Sequence, residues 1–280
     1  MIPGMDDEEI LARIKLSVAL PANEGRLRKY LSELSATECL NFVLNFRPNQ
    51  RWLELAIGRC RARLEHFDFA KSVRSIEKLE LSVIQPNTVS KLSELGSQAP
   101  WALYSMGQMP TAKMNAVVGT RTCTPTGRAV TRQVFAEFDY SSGLISGGAN
   151  GIDMHAHKVA KELSISQLMV LAGGLDRPHP QQAERFISDG FSGAVISEMP
   201  PGAVSGKLGF LNRNRLIAAL SSKLFLIEAP TISGSINTAQ HALSMGRDVI
   251  VCLTDLPDFS PGGQWFAKKR EVVTKTFLQS

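Results

Sequence analysis

The stretch NAVVGTRTCTPTGRAVTRQVFAEFDYSSGLISGGANGID, Asn115–Asp153, decides the fold. It runs from a short β-rich apolar segment through a Gly- and Thr-bearing turn into a helical pattern, then repeats that order with GLIS and a glycine turn. Working outward, LMVLA, GAVIS, KLFLIEA and DVIVCL follow as further short apolar runs. Candidate helices lie between them at about 126–139, 152–164, 180–189, 212–221 and 235–245. Strands that are apolar throughout must be covered on both faces, which predicts a doubly wound, mostly parallel α/β sheet of extended Rossmann-like type. In such a sheet, ligands meet the carboxyl ends of the strands, where loops feed helix N-termini.

Residues 5–80 read differently. EEILARIKLSVAL and QRWLELAIGRCRARLEHF place apolar residues three or four apart with few glycines, which predicts a small helical domain over 1–80 ahead of a Rossmann-like domain over 81–280. IQPN and the Pro100-Trp101 pair bracket a short helix near 87–95. The last twenty residues, with SPGG at 260–263 and KKR at 268–270, read as a loop and a short tail.

The net charge of +5 and pI near 9.1 suit a polyanionic partner. Residues 1–80 hold 13 Lys and Arg against 12 Asp and Glu, so the remaining 18 against 14 carry most of the surplus. Cys39, Cys60, Cys123 and Cys252 lie far apart and form no metal-ligand spacing, as expected of a reduced cytosolic protein without a metal. Asp6, Asp7, Glu8 and Glu9 open the chain where a secretory leader would be basic, and no apolar run reaches bilayer length.

The loops carry the functional candidates. Gly119, Thr120 and Arg121 offer amides, a hydroxyl and a guanidinium to a phosphate; an N-cap with a solvated arginine explains the same residues equally well. Ser146, Gly147 and Gly148 begin Ser146–Asp153, a glycine turn suited to an oxyanion. It lacks the G-x-G-x-x-G order and the later acidic residue of a dinucleotide site, which argues against a nicotinamide or flavin; no cofactor is expected. His155 and His157, two apart on a helix, suit packing or capping better than a shared metal. Lys207, Arg213, Asn214 and Arg215 form a basic segment placed at a helix start, suited to a nucleic-acid backbone, with Phe210 expected in the core. Ser233, Gly234, Ser235 and Thr238 surround another helix N-terminus, as a phosphate site or a plain cap.

In this order the loops resemble the DprA/Smf family of DNA-processing proteins over about residues 82–256. Its G-S-R is similar to Gly119–Arg121, its S-G-x-A-x-G-I-D to Ser146–Asp153, its G-L-D with a following proline to Gly174–Pro180, and its S-E-x-P-P-G to Ser197–Gly202. Its R-N-R-I-I-A-x-L-S is close to Arg213–Ser221, and its S-G-S-x-x-T-A to Ser233–Ala239. The resemblance implies a single-stranded-DNA-binding protein without catalysis that helps load RecA recombinase in transformation, forms a homodimer and works in the cytoplasm. By position it implies DNA contacts at Arg121, Gly147, Gly148, Arg213 and Asn214, with Ser233, Gly234 and Ser235 completing a phosphate pocket. Leu211 and Asn212 stand where the family has proline and a basic residue, so one cation is missing and affinity is expected to be lower; Thr120 keeps the hydroxyl of the family's serine. No C-terminal winged helix is expected. The rival class is an enzyme or sensor of small nucleotides, for which Asp153, Asp176, Glu198 and Glu228 are the available carboxylates.

Overall fold

The computed structural model describes residues 7–191, 193–269 and 271–277; Asp6 of the acidic opening and Arg270 of the basic tail lie outside them. Two compact units emerge. One takes the chain up to Met106 together with Ala172–Arg177 and Ile196–Leu208; the other takes Gly107–Leu171, Pro178–Val195 and the chain from Gly209 onward.

The first unit begins with five helices, α1 (Asp7–Ala19), α2 (Gly25–Tyr30), α3 (Ala36–Asn45), α4 (Arg51–Glu65) and α5 (Phe69–Lys78). The three-and-four spacing read in the sequence puts Leu16, Leu20, Leu27, Leu31, Cys39, Val43, Leu53, Ile57 and Cys60 into one buried cluster. Ser35 starts α3 with a reciprocal capping box to Glu38, a device that contributes about 1 kcal/mol. Buried Glu24 is held by Arg59 at 2.7 Å and Arg63 at 2.9 Å, whose hydrogen bonds hold its carboxyl below the ordinary range. After the helices come β1 (Ser82–Ile84), α6 (Ser90–Ser93) and β2 (Leu103–Met106), with β1 and β2 antiparallel. Trp101 belongs to the helical packing, its indole N–H donating to the Leu20 carbonyl at 3.0 Å.

The second unit is built from β3 (Lys113–Gly119), α7 (Pro125–Val134), β4 (Ser142–Gly147), α8 (Ile152–Glu162), β5 (Gln167–Val170), α9 (Gln181–Ser188), the first part of β6 (Gly193–Ser197), all but the first two residues of α10 (Lys207–Leu220), β7 (Ser221–Ile227), α11 (Gly234–Ser244), β8 (Asp248–Leu253), α12 (Pro261–Phe266) and β9 (Val272–Thr276). Its strands lie in the order β6-β5-β4-β3-β7-β8-β9, and the pairs β5–β4, β4–β3, β3–β7, β7–β8 and β8–β9 are all parallel. Leu224, Phe225, Leu226 and Ile227 are fully buried in succession, so both faces of β7 are covered, as an apolar run without alternation requires. The fold is therefore a Rossmann-like, mostly parallel α/β sheet accompanied by N-terminal helices.

Two segments differ from the sequence reading. The final residues form α12 and β9 where a loop and tail were expected. Pro261 starts α12 with its fixed φ, Phe266 is fully buried, and the β-branched Val-Val-Thr-Lys-Thr run adds a parallel edge strand beside β8. Helix α10 starts at Lys207 where the pattern suggested about 212, which places its arginines in the body of the helix instead of at its first turn.

Candidate nucleic-acid interface

Strands β3, β4 and β5 advance to one side of the sheet, while β7 and β8 lie on the other, so the strand order reverses between β3 and β7. This is the position where open α/β sheets open a crevice for ligands beyond their carboxyl ends. Because the neighbouring pairs are parallel, the turns after β3, β4, β5 and β7 share one edge, and Gly119 lies in register with Ile227 across the switch point.

At that edge Arg121 is exposed, its guanidinium 5.1 Å from the centre of the Phe210 ring. Phe210 is half-buried at the rim, not in the core as the sequence suggested, and its other neighbour is the His179 ring at 6.0 Å. Thr120 is partly exposed; its hydroxyl accepts from Thr122 N at 3.2 Å and its carbonyl accepts from Ile152 N at 3.0 Å. The backbone here is fixed by the start of α8.

The glycine turn after β4 serves packing. Ser146 is buried and donates to the Val117 carbonyl at 2.6 Å, and Gly147 and Gly148 are buried. A Cβ at Gly147 would overlap Arg213 Nη1 and stand 2.6 Å from Asp153 Oδ2. Gly151 has φ of 83°, a left-handed conformation that lets the chain turn into α8 against the Thr120 carbonyl. The glycines therefore admit protein atoms closely, a different reason from the phosphate approach inferred from the sequence.

Arg213 and Arg215 sit on the second and third turns of α10 because the helix begins at Lys207, and they are 5% and 2% exposed. Arg213 Nη1 donates to the Val170 carbonyl at 2.7 Å, and Asp153 supplies the opposing charge. Burial pushes the Asp153 carboxyl up to about 6, against the pull of Arg213, the Ala149 amide, Arg121 and the Gly119 amide. Arg215 Nη1 donates to the Asn212 carbonyl at 2.6 Å. Neither guanidinium is offered to solvent. Asn214 bridges to α11, donating to the Gly234 carbonyl at 3.0 Å and to Asn237 at 3.2 Å. Lys207 is exposed at the first residue of α10.

On α11, Ser233 is the N-cap, accepting from Ile236 N and bonded to the Ser235 hydroxyl at 2.9 Å. Gly234 is exposed and Ser233 partly so, whereas Ser235 and Thr238 are buried, the Thr238 hydroxyl donating to Gly234 O at 2.9 Å. The segment is thus a well-formed cap that leaves its first turn open to solvent. The start of α7 is closed: the Glu228 carboxylate accepts from Thr124 N at 3.0 and 3.1 Å, and a Cβ at Gly127 would overlap it. An acidic side chain already occupies that positive helix end. Sequence reading placed Glu228 among four carboxylates available as catalytic acids, some of them expected as caps or arginine partners; its φ of 46° reveals a constrained position that no local pattern announces.

The remaining motifs pack among themselves. Gly174 N donates to the Ala203 carbonyl at 2.9 Å, and Gly202 N donates to Asp176 Oδ1 at 2.8 Å, so the G-L-D and S-E-x-P-P-G segments form one interlocked turn. His157 is fully buried with Nδ1 2.9 Å from Gln167 Oε1, and burial pushes its imidazole down to about 4. His155 is half-buried, likewise held below its ordinary value by burial. Among the described residues no group of His, Cys, Asp and Glu could hold a metal, and no helix is long and apolar enough to cross a membrane.

Switch-point topology and capped loops on one sheet edge define a Rossmann-like α/β protein. The chain belongs to the family described as DNA recombination-mediator protein A, whose model matches residues 82–274. It is 38% identical over 136 residues to a DNA processing protein DprA of Mycobacterium tuberculosis, covering 48% of this chain and 35% of that one. It is 32% identical over 219 residues to protein Smf of Synechocystis, covering 74% and 54%. The chain thus spans a third to a half of the length of these relatives. Among solved structures, DNA processing protein A of Streptococcus pneumoniae superposes with a TM-score of 0.74 at 23% identity, over 96% of this chain and 95% of that one. DNA processing protein A of Helicobacter pylori, whose structure is described as giving its single-stranded DNA binding mode, superposes with a TM-score of 0.61 at 26% identity, over 69% and 90%.

Proposed function

We propose that this chain binds single-stranded DNA along the carboxyl edge of its parallel sheet and acts without catalysis as a recombination mediator. The observation that carries the reading is the exposed Arg121 guanidinium over the half-buried Phe210 ring, at the loop beside the topological switch point. A cation for the phosphate and a ring for the base are the two elements of sequence-tolerant single-strand binding. Thr120, Ser233 and Gly234 add a hydroxyl and an open helix N-terminus to the direct contacts. Ser146, Gly147, Gly148, Arg213, Asn214, Arg215, Ser235 and Thr238 hold those contacts in place from beneath, and exposed Lys207 adds positive charge to the start of α10. The Helicobacter relative's single-strand binding and the family description support the ligand; in this reading the partner is RecA recombinase and the protein works as a homodimer in the cytoplasm.

Asp153, Asp176 and Glu228 are engaged within the protein: Asp153 with Arg213 and two amides, Asp176 with Gly202, and Glu228 with Thr124. This favours binding over hydrolysis of a nucleotide. The test is a fluorescence-anisotropy titration with single- and double-stranded oligonucleotides at two salt concentrations, repeated with Arg121→Ala. The expected result is a preference for single strands, affinity that falls with salt, and a loss of roughly tenfold in the variant. Unchanged affinity in Arg121→Ala and Phe210→Ala removes the rim from the reading. Release of free base from nucleoside monophosphates establishes the enzymatic alternative instead. RecA loading is tested by following filament formation with and without the protein.

A further inference from the structure

The helical unit carries a surface that the sheet edge does not use. Helix α2 and the turn between α3 and α4, with sequence FRPNQRW at Phe46–Trp52, bring rings and cations together. Tyr30 lies 6.0 Å from Phe42 and 5.9 Å from Trp52, while Phe42 stacks on Phe46 at 4.3 Å with 18° between planes. The Arg26 guanidinium stands 3.9 Å over Trp52. Although these rings touch one another, Tyr30 is 56% and Phe46 39% exposed. Such a patch of contacting, water-facing rings on a folded unit marks a binding surface more often than chance exposure.

The charges select the partner. Lys29 and Arg47 are exposed and form no ion pair or side-chain hydrogen bond among the described residues. Arg51 meets only Glu54, at 3.5 Å, with both side chains largely in solvent, so this pair contributes little and leaves the cation available. Unneutralised Lys and Arg interleaved with rings suit a strand that presents a phosphate and a π-face at each nucleotide. We propose that this face of the helical unit is a second contact for single-stranded nucleic acid. Bases stack on Tyr30 and Phe46, and phosphates lie against Lys29, Arg47 and Arg51. The inference takes from the proposed function only the class of ligand and is independent of the sheet edge.

The test uses the whole chain and thymidine oligomers of about six and about forty nucleotides, the longer one exceeding the ~4–16 nucleotides of a single site. Affinity is measured by anisotropy for Tyr30→Ala/Phe46→Ala, for Arg47→Ala/Arg51→Ala and for Arg121→Ala. Tryptophan emission is followed in parent and Trp52→Phe. Both double variants are expected to lose roughly tenfold on the long oligomer, and oligomer binding is expected to quench emission in the parent more than in Trp52→Phe. The arginine pair keeps the proposal testable if the aromatic variant melts early by circular dichroism. Parental affinity in both double variants, or a loss confined to Arg121→Ala, overturns the proposal. A loss confined to the double variants upholds it while removing the sheet edge as the binding site. Loss of a protein partner with unchanged oligomer affinity also overturns it.

Discussion

Asp153 and Arg213 face each other in the interior beneath Gly147, and each is a liability alone. Removing one partner of a buried charge pair leaves the other uncompensated and costs about 3–5 kcal/mol, so Asp153→Ala should lower the melting temperature sharply. Differential scanning calorimetry reads this directly; a change within the error of a surface substitution would show that water reaches the pair. Gly147→Ala tests the same spot from the other side. Its new methyl collides with Arg213 Nη1, and the expected loss is about 1–3 kcal/mol of stability. If calorimetry finds that alanine neutral, Arg213 has room to move and is not held by packing. At the rim the expected effect is on binding: Arg121→Lys keeps the charge but loses the planar fork, so it should retain part of the affinity that Arg121→Ala loses, as measured by anisotropy.

Among the elements, α7 and α11 are both capped by hydroxyls yet differ in what their N-termini can accept. Thr124 caps α7, and the Glu228 carboxylate accepts from the Thr124 N–H at that helix end; Ser233 caps α11, whose Gly234 remains open. Glu228→Ala removes the carboxylate from a positive helix end and leaves Thr124 N without its acceptor, which should cost about 1–2 kcal/mol. Chemical denaturation gives the value. Phosphate added to that variant should restore part of the loss if the vacated helix end binds anions, and should do nothing for the parent at this helix. Helix α10 shows what enclosure of an element does: Arg213–Leu220 are buried in succession, so Arg213 and Arg215 are both enclosed although they point to different sides, and Asn214 ties α10 to α11.

For the whole molecule, pH and salt report different properties. Buried His157 is neutral down to about 4, whereas the unfolded chain takes up that proton near 6.5. Below 6.5 the unfolded state binds more protons, so this contribution is intact above 6.5 and drains as pH falls toward 4, by up to roughly 3 kcal/mol. Asp153 acts in the opposite sense: its folded value of about 6 lies above the 3.8 of an ordinary aspartate, so its contribution is lost as pH rises through 6. Melting curves of the parent and His157→Asn between pH 7 and pH 4 should diverge as acid is added, with the parent losing more; parallel curves would mean that His157 is solvated. Nucleic-acid affinity should fall linearly with the logarithm of salt, with a slope of about −0.7 per phosphate neutralised, and Arg121→Ala should make that slope shallower.

By itself the sequence determined the architecture and the sheet edge at which the candidate site was sought. Uninterrupted apolar runs separated by helical patterns can only be buried as strands covered on both faces, and glycine- and hydroxyl-bearing turns mark the strand ends. The tertiary structure decided which of those residues face outward. Periodicity gives directions relative to a helix axis but not which sides are covered, and the burial of Arg213 and Arg215 came from packing all round α10 from Arg213 to Leu220. The same holds for Phe210, which meets Arg121 across the fold at a separation no local pattern encodes, and for Glu228, which fills the end of α7 from the far side of the strand order reversal. Long-range pairing creates these contacts, and a sequence window contains only one of the two partners.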